Sequence, residues 1–252
     1  PGLEFSFKSL RSMFVYGSNL LFVGLLETIF NNLYFLVIGK LFSPADLGYY
    51  SRAKSLQQIP VQNISGIVNR VTFPVFSKIQ DDSKRMKRGL KKGVSTMALI
   101  TFPMMIGLAV VAKPLVIVLL TTKWLPSVLF LQLLCGVGLT YPLSTINLNV
   151  LKAQGRSSLF FKLEFLKKAV IVIAIIVTYP FGIEAMICGQ IVVHTVSYLW
   201  NSYFVGKSID YSLVEQLKDI IPTLIIACLM GIGIYVIDYA DINNQLLLLI
   251  IQ

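Results

Sequence analysis

Apolar residues in this 252-residue chain fall in discrete blocks, separated by polar or Pro/Gly-marked connections. Seven blocks can be marked, at about 14–38, 56–78, 94–120, 126–150, 159–179, 184–206 and 220–238. Each is near the roughly 20 residues that a bilayer-spanning helix needs. An eighth starts at about 244 and stops at Gln252, well short of that length. Connections such as Phe42-Ser43-Pro44-Ala45-Asp46 and Tyr179-Pro180-Phe181-Gly182 carry turn chemistry. The third block holds Pro103 and Lys113-Pro114, which predicts a kinked helix ending near Ala112 and then a short interfacial stretch. Trp124 beyond it suits an anchor at the membrane surface.

Polar residues within a span are expensive in lipid, so their helical spacing marks the face that avoids it. In the second block Gln58, Gln62, Ser65, Asn69 and Thr72 follow i, i+4, i+7, i+11, i+14, and Asn63 and Arg70 widen the stripe. Taken alone this segment could be an amphipathic surface helix, but the alternation of basic charge described below favours a span lining a watery cavity. Arg70 lies eight residues, about 12 Å, from Lys78 at the block's end, farther than snorkelling covers. A guanidinium in a cavity suits a phosphate group held bidentately; the alternative is a structural pair with an acid. The first block places Glu27, Asn31 and Tyr34 on one face. Glu27 is either an ion-coupling group or a protonated acid hydrogen-bonded across the bundle. Gln190, His194, Ser197 and Asn201 repeat the stripe in the sixth block, with Thr140, Ser144 and Asn147 a weaker one in the fourth. His194 is the only histidine; it reads as a hydrogen-bonding group or a proton switch, and no His-based metal site is available. The fifth and seventh blocks are apolar all round over Ala169–Val177 and Leu224–Ile237, which predicts lipid-facing or peripheral helices.

Composition narrows the class. Only 13% of residues are charged and 56% are hydrophobic, about half the charge of an average soluble domain. That excludes a soluble globule, and it excludes disorder, which needs low hydrophobicity. The three cysteines, Cys135, Cys188 and Cys228, sit in apolar stretches without a CxxC pair, so they supply neither a metal site nor a disulfide framework. No GxSxG, Walker A loop, HExxH or nucleophile–base pair appears, so an enzyme is not indicated and no cofactor is implied.

The net charge of +10 is arranged by side. Alternate connections carry sixteen Lys and Arg on one side of the membrane and five on the other. The positive-inside rule then puts the N-terminal end of the chain in the cytoplasm. The densest group, Lys78, Lys84, Arg85, Lys87, Arg88, Lys91 and Lys92, is explained by that rule without a ligand. Among ligands, anionic lipid headgroups suit it better than nucleic acid, because the basic residues sit between apolar blocks.

Certain stretches resemble a known family. Leu47-Gly48-Tyr49-Tyr50-Ser51-Arg52-Ala53 is one, and Phe73-Pro74-Val75-Phe76-Ser77-Lys78-Ile79-Gln80 another. With Lys123-Trp124 and Leu151-Lys152-Ala153-Gln154-Gly155-Arg156, they resemble bacterial O-antigen and capsule polysaccharide flippases, the Wzx-like members of the MOP exporter superfamily. The resemblance implies an all-α, polytopic transmembrane helix bundle in the bacterial inner membrane. Such flippases have two six-helix lobes, often followed by two extra helices. Residues 1–206 would then be the second lobe and 207–252 the extra helices, the last one cut; the absence of an initial Met is likewise expected of a fragment. The implied activity is transfer of an undecaprenyl-pyrophosphate-linked oligosaccharide from the cytoplasmic to the outer leaflet by alternating access. Arg70 sits on the helix that carries a cavity arginine in related flippases, and Gln58, Gln62, Asn63 and Asn69 share its helix. Polysaccharide polymerase and glycosyltransferases are the implied partners, with membrane lipids and no nucleic acid. Two other readings stay open: a cation-coupled small-molecule exporter using Glu27, Asn31 or His194, and a non-transporting scaffold for polysaccharide enzymes.

Overall fold

A computed structural model describes residue 25 and residues 28–239, without the side chains of 157 and 237–239. The described residues form α1 (Leu33–Leu41), α2 (Pro44–Lys78), α3 (Ser83–Val110), α4 (Ala112–Leu120), α5 (Ser127–Ala153), α6 (Ser157–Thr178), α7 (Ile183–Ile209) and α8 (Leu213–Tyr239). Short 3₁₀ turns at Thr122–Trp124 and Tyr179–Phe181 join α4 to α5 and α6 to α7. The chain divides into two compact units at Leu47/Gly48, inside the first turn of α2. The eighth apolar run lies outside the described residues.

Local chemistry sets the helix starts. At α2, Ser43 and Asp46 cap each other: the Asp46 N–H donates to Ser43 Oγ at 3.1 Å and the Ser43 N–H to Asp46 Oδ2 at 3.3 Å, with Pro44 at the first helical position. The helix therefore begins at Pro44 rather than near 56. It runs for 35 residues, about 52 Å, well beyond a hydrocarbon core of about 30 Å. Asp82 caps α3, accepting the Arg85 N–H at 3.0 Å, and this bond holds its carboxyl below the usual value. The third block divides as its prolines suggested: α3 ends at Val110 and α4 follows as a nine-residue helix.

Within the second unit α5 is central, packing against α3 and α7, while α6 lies on α7 and α8 on α3. The core runs through Met86, Leu90, Val94, Leu143, Ile146, Val150 and Val205, all fully buried. Glycines let the helices approach. A Cβ at Gly136 would lie 2.9 Å from Ile191 Cδ1, at Gly231 2.6 Å from Ile106 Cγ2, and at Gly93 it would collide with Ile146. Small residues at crossings are the expected packing device in lipid, where hydrophobicity does not drive helices together.

Four described helices, α3, α5, α7 and α8, are long and apolar enough to cross a membrane. The chain is a multi-pass membrane protein. The outer faces of α6 and α8 expose Ile173, Ile176, Val177, Ile225, Ile226 and Leu229, as expected of helices turned to lipid. α6 falls outside the four because Lys162, Glu164, Lys167 and Lys168 occupy its first half.

Candidate functional site

α2 decides what the site can be. Its packed side is Ala53, Gln57, Val61, Ile64, Ser65, Val68 and Phe76, all buried and repeating every three or four residues. Arg70 projects from nearly the opposite side, with Asn63 two turns before it and Arg52 about five turns before it. Arg70, Asn63 and Gln62 are exposed, Gln58 is half-buried, and the Asn63 amide donates to its own helix at Ile59 O, 2.9 Å away. Arg70 makes no ion pair among the described residues, so the structural alternative finds no acid there. Pro74 stands four residues after Arg70 and removes the N–H that would bond the Arg70 carbonyl. This stretch of α2 thus sets a charged side chain and a freed carbonyl among the exposed apolar Ile67, Val71 and Phe73.

The remaining stripes bond partly between helices and partly within their own. Asn149 on α5 donates to Asn69 Oδ1 at 2.9 Å and to Thr72 Oγ1 at 2.8 Å, fastening the lower half of α2. Asn201 on α7 donates to Ser144 Oγ on α5 at 2.7 Å, fully inside the bundle. Ser197 bonds back to Val193 O and Asn147 to Leu143 O, each in its own helix. The α7 stripe of Gln190, Ser197 and Asn201 is buried rather than lining a cavity. A buried polar group needs a partner, and the neighbouring helix supplies one without exposing it to lipid. Gln132 does the same for a backbone, donating to Ala109 O near the end of α3 at 3.1 Å.

His194 is half-buried, its ring 5.9 Å from that of Tyr141 on α5. The charges of Lys167 and Lys54 both bear on it. Neither lysine is among the expected site residues, although both lie within helices. Lys167 is paired with Glu164 at 3.7 Å. Asn31 is exposed in the helical turn preceding α1, and Glu27 falls outside the described residues.

At the opposite end, Trp124 is packed edge-on by Tyr49 at 5.9 Å and covered by the Arg52 guanidinium at 5.5 Å. This cluster joins residues from two of the stretches that carry the family resemblance.

Comparisons with known proteins agree with this architecture. The chain is 29% identical to the lipopolysaccharide biosynthesis protein WzxC of Escherichia coli, over 92% of this chain and 49% of the relative. It is 27% identical to the teichuronic acid biosynthesis protein TuaB of Bacillus subtilis, over 92% of this chain and 48% of that one. The chain therefore spans about half the length of the curated relatives it matches. Among solved structures, the lipid II flippase MurJ in an inward closed conformation matches 99% of this chain and 53% of its own, with a TM-score of 0.74 and 18% identity. That likeness establishes a common fold. A family model described as polysaccharide biosynthesis protein matches residues 1–129. The chain belongs to that family.

Proposed function

We propose that this polysaccharide biosynthesis family member supplies the second lobe of a flippase. It would carry an undecaprenyl-pyrophosphate-linked oligosaccharide from the cytoplasmic to the outer leaflet of the bacterial inner membrane, by alternating access. In this reading residues 1–206 are the lobe, residues 207–252 belong to the extra helices, and the chain's N-terminal end is cytoplasmic. The relatives, named for lipopolysaccharide and teichuronic acid biosynthesis, support a cell-surface glycan as the cargo.

The observation that carries the reading is the placement of Arg70. It stands exposed on the side of α2 turned away from the bundle, with no acid paired to it among the described residues. α2 is not among the four helices apolar enough by composition to cross a membrane; in this reading it is a polar span, where an unpaired guanidinium is costly unless water or an anionic ligand meets it. A pyrophosphate offers oxygens for both arms of the fork, and Asn63 and Gln62 beside it can donate to phosphate or sugar oxygens. Binding of this kind needs no chemical step.

The test is replacement of Arg70 by Ala and by Lys in the full-length protein, with surface polysaccharide measured at matched expression. Arg70→Ala is expected to lower output at least tenfold, since a charged hydrogen bond is worth about 1.5–3 kcal/mol. Arg70→Lys keeps the charge but loses the fork and should fall between. Wild-type output from Arg70→Ala would remove this residue from the mechanism.

A further inference from the structure

The first three turns of α3 carry six basic residues and no acid, and the structure treats them in two groups. Lys87 and Lys91 flank the buried side and meet carboxylates of α8: Lys87 Nζ is 3.0 Å from Glu215 Oε2, and Lys91 Nζ is 3.0 Å from Asp219 Oδ1. Arg85 is held by the capping Asp82 at 3.1 Å. Lys84, Arg88 and Lys92 remain. They recur at i, i+4 and i+8, which places them in one row opposite the buried Met86, Leu90 and Val94. All three are exposed, and no acid pairs with them among the described residues.

The same face of α3 changes character as the helix continues. Two turns past Lys92, about 10 Å along the axis, Leu99 is 61% exposed, with Ile100 beside it 42% exposed. A row of cations running into bare apolar side chains fits neither water nor nucleic acid, each of which would meet only the charged part. It fits a molecule whose phosphate is joined to an acyl chain.

We propose that Lys84, Arg88 and Lys92 bind the phosphate headgroup of an anionic phospholipid, with Leu99 and Ile100 taking the first part of its acyl chain. The orientation rests on the topology proposed above; the binding itself does not. The paired lysines are thereby separated in purpose from the row: Lys87 and Lys91 hold α8, and the row holds lipid.

Purified full-length protein would be titrated with phosphatidylglycerol and phosphatidylcholine, and bound lipid counted by native mass spectrometry. Each basic residue near a membrane surface contributes about fivefold, so three together give on the order of a hundredfold, weakened by salt. The triple variant Lys84→Gln, Arg88→Gln, Lys92→Gln should lose the preference for phosphatidylglycerol by at least tenfold. A control, Lys113→Gln with Lys123→Gln, should keep it. Glutamine is nearly as good a helix former as lysine, so exposed replacements leave the fold in place, which circular dichroism verifies. Inorganic phosphate should fail to displace the lipid, because it cannot use Leu99. Retention of wild-type preference by the triple variant overturns the proposal. So does equal loss in the control, or displacement by phosphate alone. None of these readouts measures transport, so the flippase reading stands or falls separately.

Discussion

Asn149 makes two hydrogen bonds from one amide group, to Asn69 and to Thr72, and both cross from α5 to α2. Replacing it with Leu keeps the volume but removes both bonds between the helices, leaving Thr72 with only its bond to Val68 O. The cost expected is about 1–3 kcal/mol, read as a lower thermal midpoint of the full-length protein in detergent. Asn147→Leu removes only a bond within α5, so it should cost less. The pair shows how far sequence reaches at this scale. Periodicity placed Asn69 and Thr72 on one face of α2. It drew Asn147 into the α5 stripe and passed over Asn149, two residues on, because spacing along one helix does not name the neighbour on another. Arg70 was legible for the opposite reason: a charge within an apolar block stands out whatever surrounds it. Lys54 and Lys167 were not, since each lies close enough to a polar stretch to be taken for part of a connection.

The joint between α7 and α8 is the sharpest test of a single helix connection. Asp210 adopts the left-handed conformation at φ 55°, and a Cβ added to Gly206 would collide with the Tyr211 backbone carbonyl. Backbone cannot move aside as a flexible side chain does, so Gly206→Ala should cost about 1–3 kcal/mol. Gly66 on α2 has open space around its missing Cβ, and Gly66→Ala should be neutral or stabilise by about 0.5–1 kcal/mol. Just past the joint, the Tyr211 hydroxyl donates to Asp219 Oδ2 at 2.6 Å, and Lys91 meets the other oxygen of the same carboxylate. Burial, with Asp219 beside it, raises the Tyr211 phenol above its ordinary value of 10.0. The sign follows: the contribution is complete below that value and is lost as pH rises above it. Tyr211→Phe should therefore destabilise by about 1.5–3 kcal/mol, read as a thermal midpoint lowered equally at pH 6 and pH 8. Asp219→Asn should weaken the hold on α8 in the same assay. None of this clamp was anticipated, because Lys91 was counted only as a connection charge, although Glu215 and Asp219 already stood four apart in the sequence.

For the whole molecule, alternation of basic connections is a prediction about sides. With the native cysteines replaced, Lys123→Cys should react with a membrane-impermeant maleimide in intact cells. Gln154→Cys should react only after permeabilisation. The reverse pattern would invert the proposed topology. Each of the blocks from 56 to 238 falls on helix among the described residues, the third on two, since each apolar run must bury or meet lipid. Block counting misplaced the start of α2, because the Ser43–Asp46 cap extends that helix through residues no hydropathy rule would include. The extension has a mechanical consequence. A rod of about 52 Å tilted ten degrees about its middle moves each end by roughly 4–5 Å, but moves the level of Arg70, about 13 Å from the middle, by only about 2 Å. α2 is thus a lever: a small tilt shifts its two ends about twice as far as it shifts the level of Arg70.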